Sequence, residues 1–295
     1  MKYSIRHITT YRYSEAVSLS QNHARLSPQH TGQQNCLNSR IEVFPKPAFQ
    51  DSFDDHFDNK VTVFELFSSH KEMKVVATSE VEILPSSQQG SLSFQIPWEK
   101  VRDSLAKPRD PDATKAALFA LPTPLTQPSP EMREYAMQSF SSGMPILDGC
   151  QHLINRIFDE FTFDASFSTI STPISTVFAH KRGVCQDFAH FTLACIRSLG
   201  LAAKYVSGYI ETIPPPGQEK LEGADATHAW ISVFVPSAGW IEYDPTNNLQ
   251  PSDQHVTLAT GRDFADITPI KGVMYGGGTQ TLDVAVDMKR LEQAI

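Results

Sequence analysis

The stretch Arg182-Gly183-Val184-Cys185-Gln186-Asp187-Phe188-Ala189-His190 decides how this chain is read. After Cys185 the apolar residues Phe188, Phe191, Ala194, Cys195, Ile196 and Leu199 recur at spacings of three and four, and Gly200 follows. The pattern predicts a core helix stopped by a glycine cap, with Cys185 on its first turn. A thiol there lies near unpaired backbone N–H groups and the positive end of the helix dipole, which favour thiolate over thiol. Taken alone, a cysteine at a helix start is more often structural than nucleophilic, because free cysteine is among the most buried residue types. The residues downstream reverse that balance.

Thr227-His228-Ala229-Trp230-Ile231 opens a strand-like run that reaches Val235. Pro236 to Gly239 reads as a turn and Trp240 to Tyr243 as the returning strand, ended by Asp244 and Pro245. A cysteine on a helix, a histidine on one strand and an aspartate on its neighbour supply a nucleophile, a base and an orienting carboxylate. Side chains alternate along strands, so His228 and Asp244 share a face only if directly paired residue numbers have an even sum. Pairing Val235 with Trp240 fails this condition. Pairing Pro236 with Trp240, with Gly239 left-handed in a bulge, meets it and sets Asp244 opposite Ser232.

These segments, with LGLAAKYVSGY (199–209), THAWISVFVPSAGWIEYDPTNN (227–248) and GRDFADITPIKGV (261–273), resemble the bacterial branch of the transglutaminase-like superfamily, which shares a papain-like cysteine-protease core. The resemblance covers the second half densely, and the opening residues resemble the β-rich domain that often precedes that core. It implies an α+β fold: an N-terminal β-sandwich-like domain, then a papain-like, transglutaminase-like core in which the nucleophile's helix packs on an antiparallel sheet. It also implies that Thr162 to Pro173 approaches the active site. The expected division is 1–85 for the β domain, 86–130 for a connector with short helices and 131–295 for the catalytic core.

The whole chain is compatible with this. It has 295 residues, 40% hydrophobic and 20% charged, enough for two globular domains. Met1 to Tyr13 holds Lys2, Arg6, His7 and Arg12 with no apolar block, and no eighteen apolar residues run together, so neither a signal peptide nor a membrane span is expected and the protein is read as cytoplasmic. Cys36, Cys150, Cys185 and Cys195 show no zinc-type spacing and no disulfide framework. The net charge of −8, without a basic run, argues against nucleic acid as a partner. No cofactor or metal is expected, and the oligomeric state stays open.

Along the chain, short alternating bursts to about Pro85, broken at Phe44-Pro45-Lys46-Pro47 and Phe57-Asp58-Asn59-Lys60, predict the β module, and none of its histidines is expected to do chemistry. Ser86 to Gly90 opens a polar connector, with helical pieces over Trp98 to Leu105 and Pro111 to Leu121. Helices are expected over Glu131 to Phe140 and Leu147 to Phe161, the latter carrying Cys150 in its apolar stripe. Ala202 to Ile210 reads as a strand, and Pro214 to Lys220 as a surface loop at the rim of the cleft. Thr246 to Gly261 reads as loop, Gly276-Gly277-Gly278 as a flexible turn, and Thr281 to Met288 as a last strand completing the core sheet.

In the expected chemistry the Cys185 thiolate attacks a carbonyl carbon, His228 takes the thiol proton and returns it to the leaving amine, and Asp244 holds the ring in the correct tautomer. The thiol pKa is expected to fall and that of the imidazole to rise. The Cys185 backbone N–H is the first oxyanion donor. A peptidase or amidase forming a thioester with a peptide or protein substrate is the first choice. Transfer of a glutamine acyl group to an amine uses the same triad, and a non-catalytic binding or assembly module is the third possibility. Weaker sets are set aside: His180, Cys185 and His190 do not share a helical face, since five residues turn about 500°. Asp187 is expected to support the helix start or pair with Arg182. Arg262 and Asp263 are expected to make a structural ion pair or loop anchor, Trp230 and Trp240 serve equally as site wall or core, and Tyr209 and Cys195 as core.

Overall fold

The computed structural model describes residues 1–84, 95–212, 223 and 225–291. Five strands come first: β1 (Lys2–Ala24), β2 (Gln34–Phe44), β3 (Phe49–Asp54), β4 (Lys60–Leu66) and β5 (His70–Ile83). Helices α1 (Trp98–Ala106), α2 (Pro111–Ala117), α3 (Pro130–Met137) and α4 (Ile146–Glu160) follow, then β6 (Thr162–Phe163), α5 (Ile174–His180) and β7 (Arg182–Gly183). Next come α6 (Cys185–Ser198), β8 (Ala203–Ile210), β9 (Ala226–Val235), β10 (Gly239–Tyr243), β11 (His255–Gly261), β12 (Ile270–Gly276) and β13 (Gln280–Leu291). The helix starts follow local chemistry: Asp110 accepts the Ala113 N–H ahead of Pro111, and Ser129 accepts the Met132 N–H ahead of Pro130. Among the described residues no helix is long and apolar enough to cross a membrane.

The N-terminal β module is one seven-stranded sheet in the order β2-β5-β1-β4-β3, with β12 and β13 also paired to β1. The first half of β1 lies between β5 and β13 and the second half between β4 and β12, with register breaks around Val17. The strand expected to complete the core sheet therefore belongs elsewhere: Met288 lies opposite Ile5 and Val284 opposite Thr9. Val286 and Met288 are buried with Tyr3 and Ile5, while Leu282 and Val284 are exposed. Alternation identifies a half-buried strand but is blind to which sheet receives it. The helices expected as a connector also sit differently, since Trp98, Val101, Leu105 and Phe119 join the same apolar cluster as α3 to α6. The division at 85, 130 and 295 thus does not follow the sheets. The stretches Ser86–Gly90 and Pro214–Lys220 lie outside the described residues.

The second sheet is antiparallel in the order β10-β9-β8-β11. One face of it, with Ile231, Val233, Ile241 and Tyr243, packs on α6 through residues such as Phe188, Phe191 and Ile196. The stretch expected to be loop after Asp244 contains β11, every residue of which is buried. His255-Val256-Thr257-Leu258 does alternate polar and apolar residues, but the alternation breaks after two pairs, at the bulge between Thr257 and Ala259, and the polar residues upstream account for the loop reading. Tyr209, Val256 and Leu258 join the apolar cluster of the seven-stranded sheet, which fastens the two sheets together. All three residues of Gly276-Gly277-Gly278 have positive φ at the β12–β13 turn.

Candidate active site

The helix that begins at Cys185 is aimed by the chain that enters it. Arg182–Gly183 pairs in parallel with Thr162–Phe163, and Val184 is the extended residue before the first helical turn. The Asp187 carboxylate accepts the Val184 N–H at 2.8 Å and the Ser168 hydroxyl donates to the same oxygen. Asp187 therefore supports the helix start as expected, while Arg182 pairs with Asp164. Gly183 is required there, because a Cβ would meet the Asp187 carboxylate at 2.6 Å. Cys185 is the first helical residue and half-buried, whereas Cys150 and Cys195 are buried in the core, which pushes both thiols up, Cys150 to about 12.

The hairpin register differs from both expected pairings. Gly239 lies opposite Val235 and Trp240 opposite Phe234, with Gly239 at φ 80° and Ser237 also left-handed. Continuing this register sets Asp244 across from Trp230, two residues from His228 on the same face, instead of four. No further slip is needed. The His228 Nε2 and Asp244 Oδ2 atoms are 2.7 Å apart.

Asp244 is 0% exposed and heavily engaged. Its Oδ1 accepts the backbone N–H groups of Thr246 and Asn247, and its Oδ2 accepts from Asn247 Nδ2 at 2.7 Å and from His255 Nε2 at 3.2 Å as well as from His228. Burial alone would push this carboxyl up; the bonds from His228 and His255 outweigh it and hold Asp244 well below the usual carboxylate range. Burial likewise would lower His228, but hydrogen bonds with Asp244 and with Cys185 raise it to about 10. With Nε2–H directed at Asp244, Nδ1 is the ring nitrogen available to the sulfur.

Trp230 is both wall and core: it is 0% exposed, its ring stacks on His228 at 6.0 Å and meets His255 edge-on at 5.3 Å, and its indole N–H donates to Glu242 at 3.0 Å. It lies over Gly208, where a Cβ would meet the ring at 2.4 Å and the Val256 carbonyl at 2.1 Å. His255 and Asn247 are site residues that sequence reasoning missed. Asn247 had a signal in the Asp-Pro-Thr-Asn turn that Asp244 nucleates; His255 had none, because β11 was read as loop. The ligand atoms of His228, Asp244 and His255 lie within 4.8 Å of one another, close enough for a divalent ion to bridge. The acid already accepts a hydrogen bond from each of these rings.

Other expectations resolve simply. Arg262 pairs with Asp266, at 2.8 Å from Nε, and not with Asp263. Tyr209 is core, its hydroxyl 2.9 Å from His7 Nδ1. The buried Arg197 donates to the carbonyls of Phe119, Ala203 and Arg262 and to the Thr126 hydroxyl, tying α6 to its surroundings.

Residues 133–245, which contain all three proposed triad members, match the transglutaminase-like superfamily, and residues 3–82 match the bacterial transglutaminase-like N-terminal region. The chain belongs to this superfamily. It is 34% identical to an uncharacterized protein of Mycobacterium tuberculosis, over 99% of this chain and 93% of that one. It is 24% identical to a protein-glutamine gamma-glutamyltransferase of Pseudomonas aeruginosa over 43% of this chain and 21% of that one. In fold it is similar to a Cytophaga hutchinsonii protein provisionally named a cysteine protease, with TM-score 0.76 and 20% identity over 100% of this chain and 92% of that one. At 20% identity the Cytophaga neighbour shows the fold alone.

Proposed function

We propose that the protein is a cysteine-dependent amide hydrolase, a peptidase or amidase, with Cys185 as nucleophile, His228 as base and Asp244 as orienting acid. The 2.7 Å contact between His228 Nε2 and Asp244 Oδ2, with the Cys185 thiol near enough to help raise the same ring, carries this reading. The raised His228 is an imidazolium at neutral pH, able to protonate a leaving group. In the first half-reaction the thiolate attacks the amide carbon, the developing oxyanion is met by the Cys185 backbone N–H, and His228 protonates the departing amine. Water, deprotonated by His228, then attacks the thioester and releases the acid and the thiol. The four free thiols suit a reducing compartment, in keeping with a cytoplasmic location.

A second reading, acyl transfer in which an amine replaces that water, is favoured by the named activity of the Pseudomonas relative. Both are separated from a non-catalytic module by iodoacetamide labelling at pH 6. Cys185 is expected to react much faster than Cys36, Cys150 and Cys195, and faster than Cys185 in His228→Ala; uniformly slow labelling would reject the enzyme. Peptide libraries incubated with wild type and Cys185→Ser, with and without a primary amine, then sort the chemistry by mass: new peptide ends for a peptidase, a one-dalton shift for an amidase, amine adducts for a transferase.

A further inference from the structure

Beyond His228 on the four-stranded sheet lies a polar array that the chemistry above leaves idle. Glu242 is directly opposite Ser232, and Ser232 directly opposite Lys204, so the three form one row across β10, β9 and β8. Alternation puts this row on the face that bears His228 and Trp230. A cavity of about 400 Å³ opens over it, between the sheet and two loops of the N-terminal part, around Gln29–Gln33 and Phe57–Asp58, with Trp240 as a wall. That volume is in the range of small-molecule sites.

The lining selects a charge. The Ser232 hydroxyl is buried, the residue being 3% exposed, and has no partner among the described residues, a costly state unless something completes it. The Lys204 ammonium lies 4.2 Å from the centre of the Trp240 ring and 5.2 Å from that of Phe119, and feels both Asp58 and Glu242. Burial pushes the Glu242 carboxyl up to about 7, so above that pH two carboxylates face one ammonium, which leaves room for a second positive charge beside the two acids. The Trp230 indole N–H already serves one Glu242 oxygen.

We propose that this cleft is a binding site, separate from Cys185, for a small ligand bearing a primary ammonium group, of amino-acid to dipeptide size, held by Glu242, Ser232 and Asp58. The cleft adjoins the proposed triad, because Glu242 holds the indole of the tryptophan whose ring stacks on His228 and abuts His255. The site stands whether or not Cys185 is a nucleophile.

The test uses full-length Cys185→Ser protein, so that no probe is consumed, titrated calorimetrically and by tryptophan fluorescence with L-lysine, L-alanine and N-acetyl-L-alanine. Saturable binding of the two amines, with none of the acetylated probe, is the expected result. Affinity is expected to fall about tenfold or more when Ser232→Ala or Glu242→Gln is added. Ser232→Ala removes a hydroxyl that has no partner, so its ligand-free melting temperature should be unchanged or higher, which separates lost binding from lost fold. No saturable binding by any probe, equal binding of the acetylated one, or unchanged affinity in both variants overturns the site.

Discussion

At the Asp244 carboxylate, five donors converge on two oxygens, and the one that the proposed chemistry uses comes from His228. Asp244→Asn keeps the shape and removes the charge, so alkylation of Cys185 at pH 6 and any turnover should fall about 100-fold or more. Because His228 is raised, the stability its pairing contributes is full below about pH 6.5 and is lost as pH rises toward about 10. The depressed Asp244 contributes above about pH 4 and loses that contribution as pH falls. His190 behaves oppositely to His228: burial holds it at about 4, and its Nε2 accepts the Phe264 N–H. It therefore contributes above about pH 6.5 and costs about 2 kcal/mol by pH 5. Urea midpoints at pH 7 and pH 5 should show that loss in the wild type and a smaller one in His190→Gln. Cys185, His228 and Asp244 were legible as residues because their order and flanking patterns sit on strongly periodic elements. His255 was not, since its bond to Asp244 and its contact with Trp230 arise only once β11 has joined the sheet beside β8.

Helix α6 and strand β9 were readable because one has a clean apolar period and the other is bounded by turn residues, yet their joint geometry depended on a register that sequence left two residues out. Parity alone limited the error to an even slip, which is why His228 and Asp244 still shared a face. Strand β8 imposes a stricter demand through Gly208. Gly208→Ala would drive a methyl into the Trp230 ring and the Val256 carbonyl, and we expect a loss of about 2 kcal/mol or more with slower Cys185 alkylation. Denaturant unfolding and labelling rates measured on one preparation check both. Arg197→Met should cost about 3 kcal/mol, because three carbonyls and a hydroxyl lose a buried donor. Arg197→Lys should recover part of that loss, having fewer and less directional donors.

Across the molecule, the class of fold was apparent from motif order, while the ownership of strands was not: β13 carries the right pattern for either sheet, and only long-range pairing assigns it, with β12, to β1. A chain ended after Gly278 removes β13 and bares the edge of β1 from Lys2 to Tyr13. Such a protein is expected to melt lower and to self-associate, read by thermal unfolding and size-exclusion chromatography, even though every residue of the triad is retained. Because Lys2 lies opposite Leu291, β1 waits for β13, which is synthesised after every other strand described. The Cys185 helix and its sheet can condense while that edge is still open, so a nascent chain stalled late in synthesis would carry an assembled thiol centre beside a sticky, unfinished flank that chaperones would have to shield.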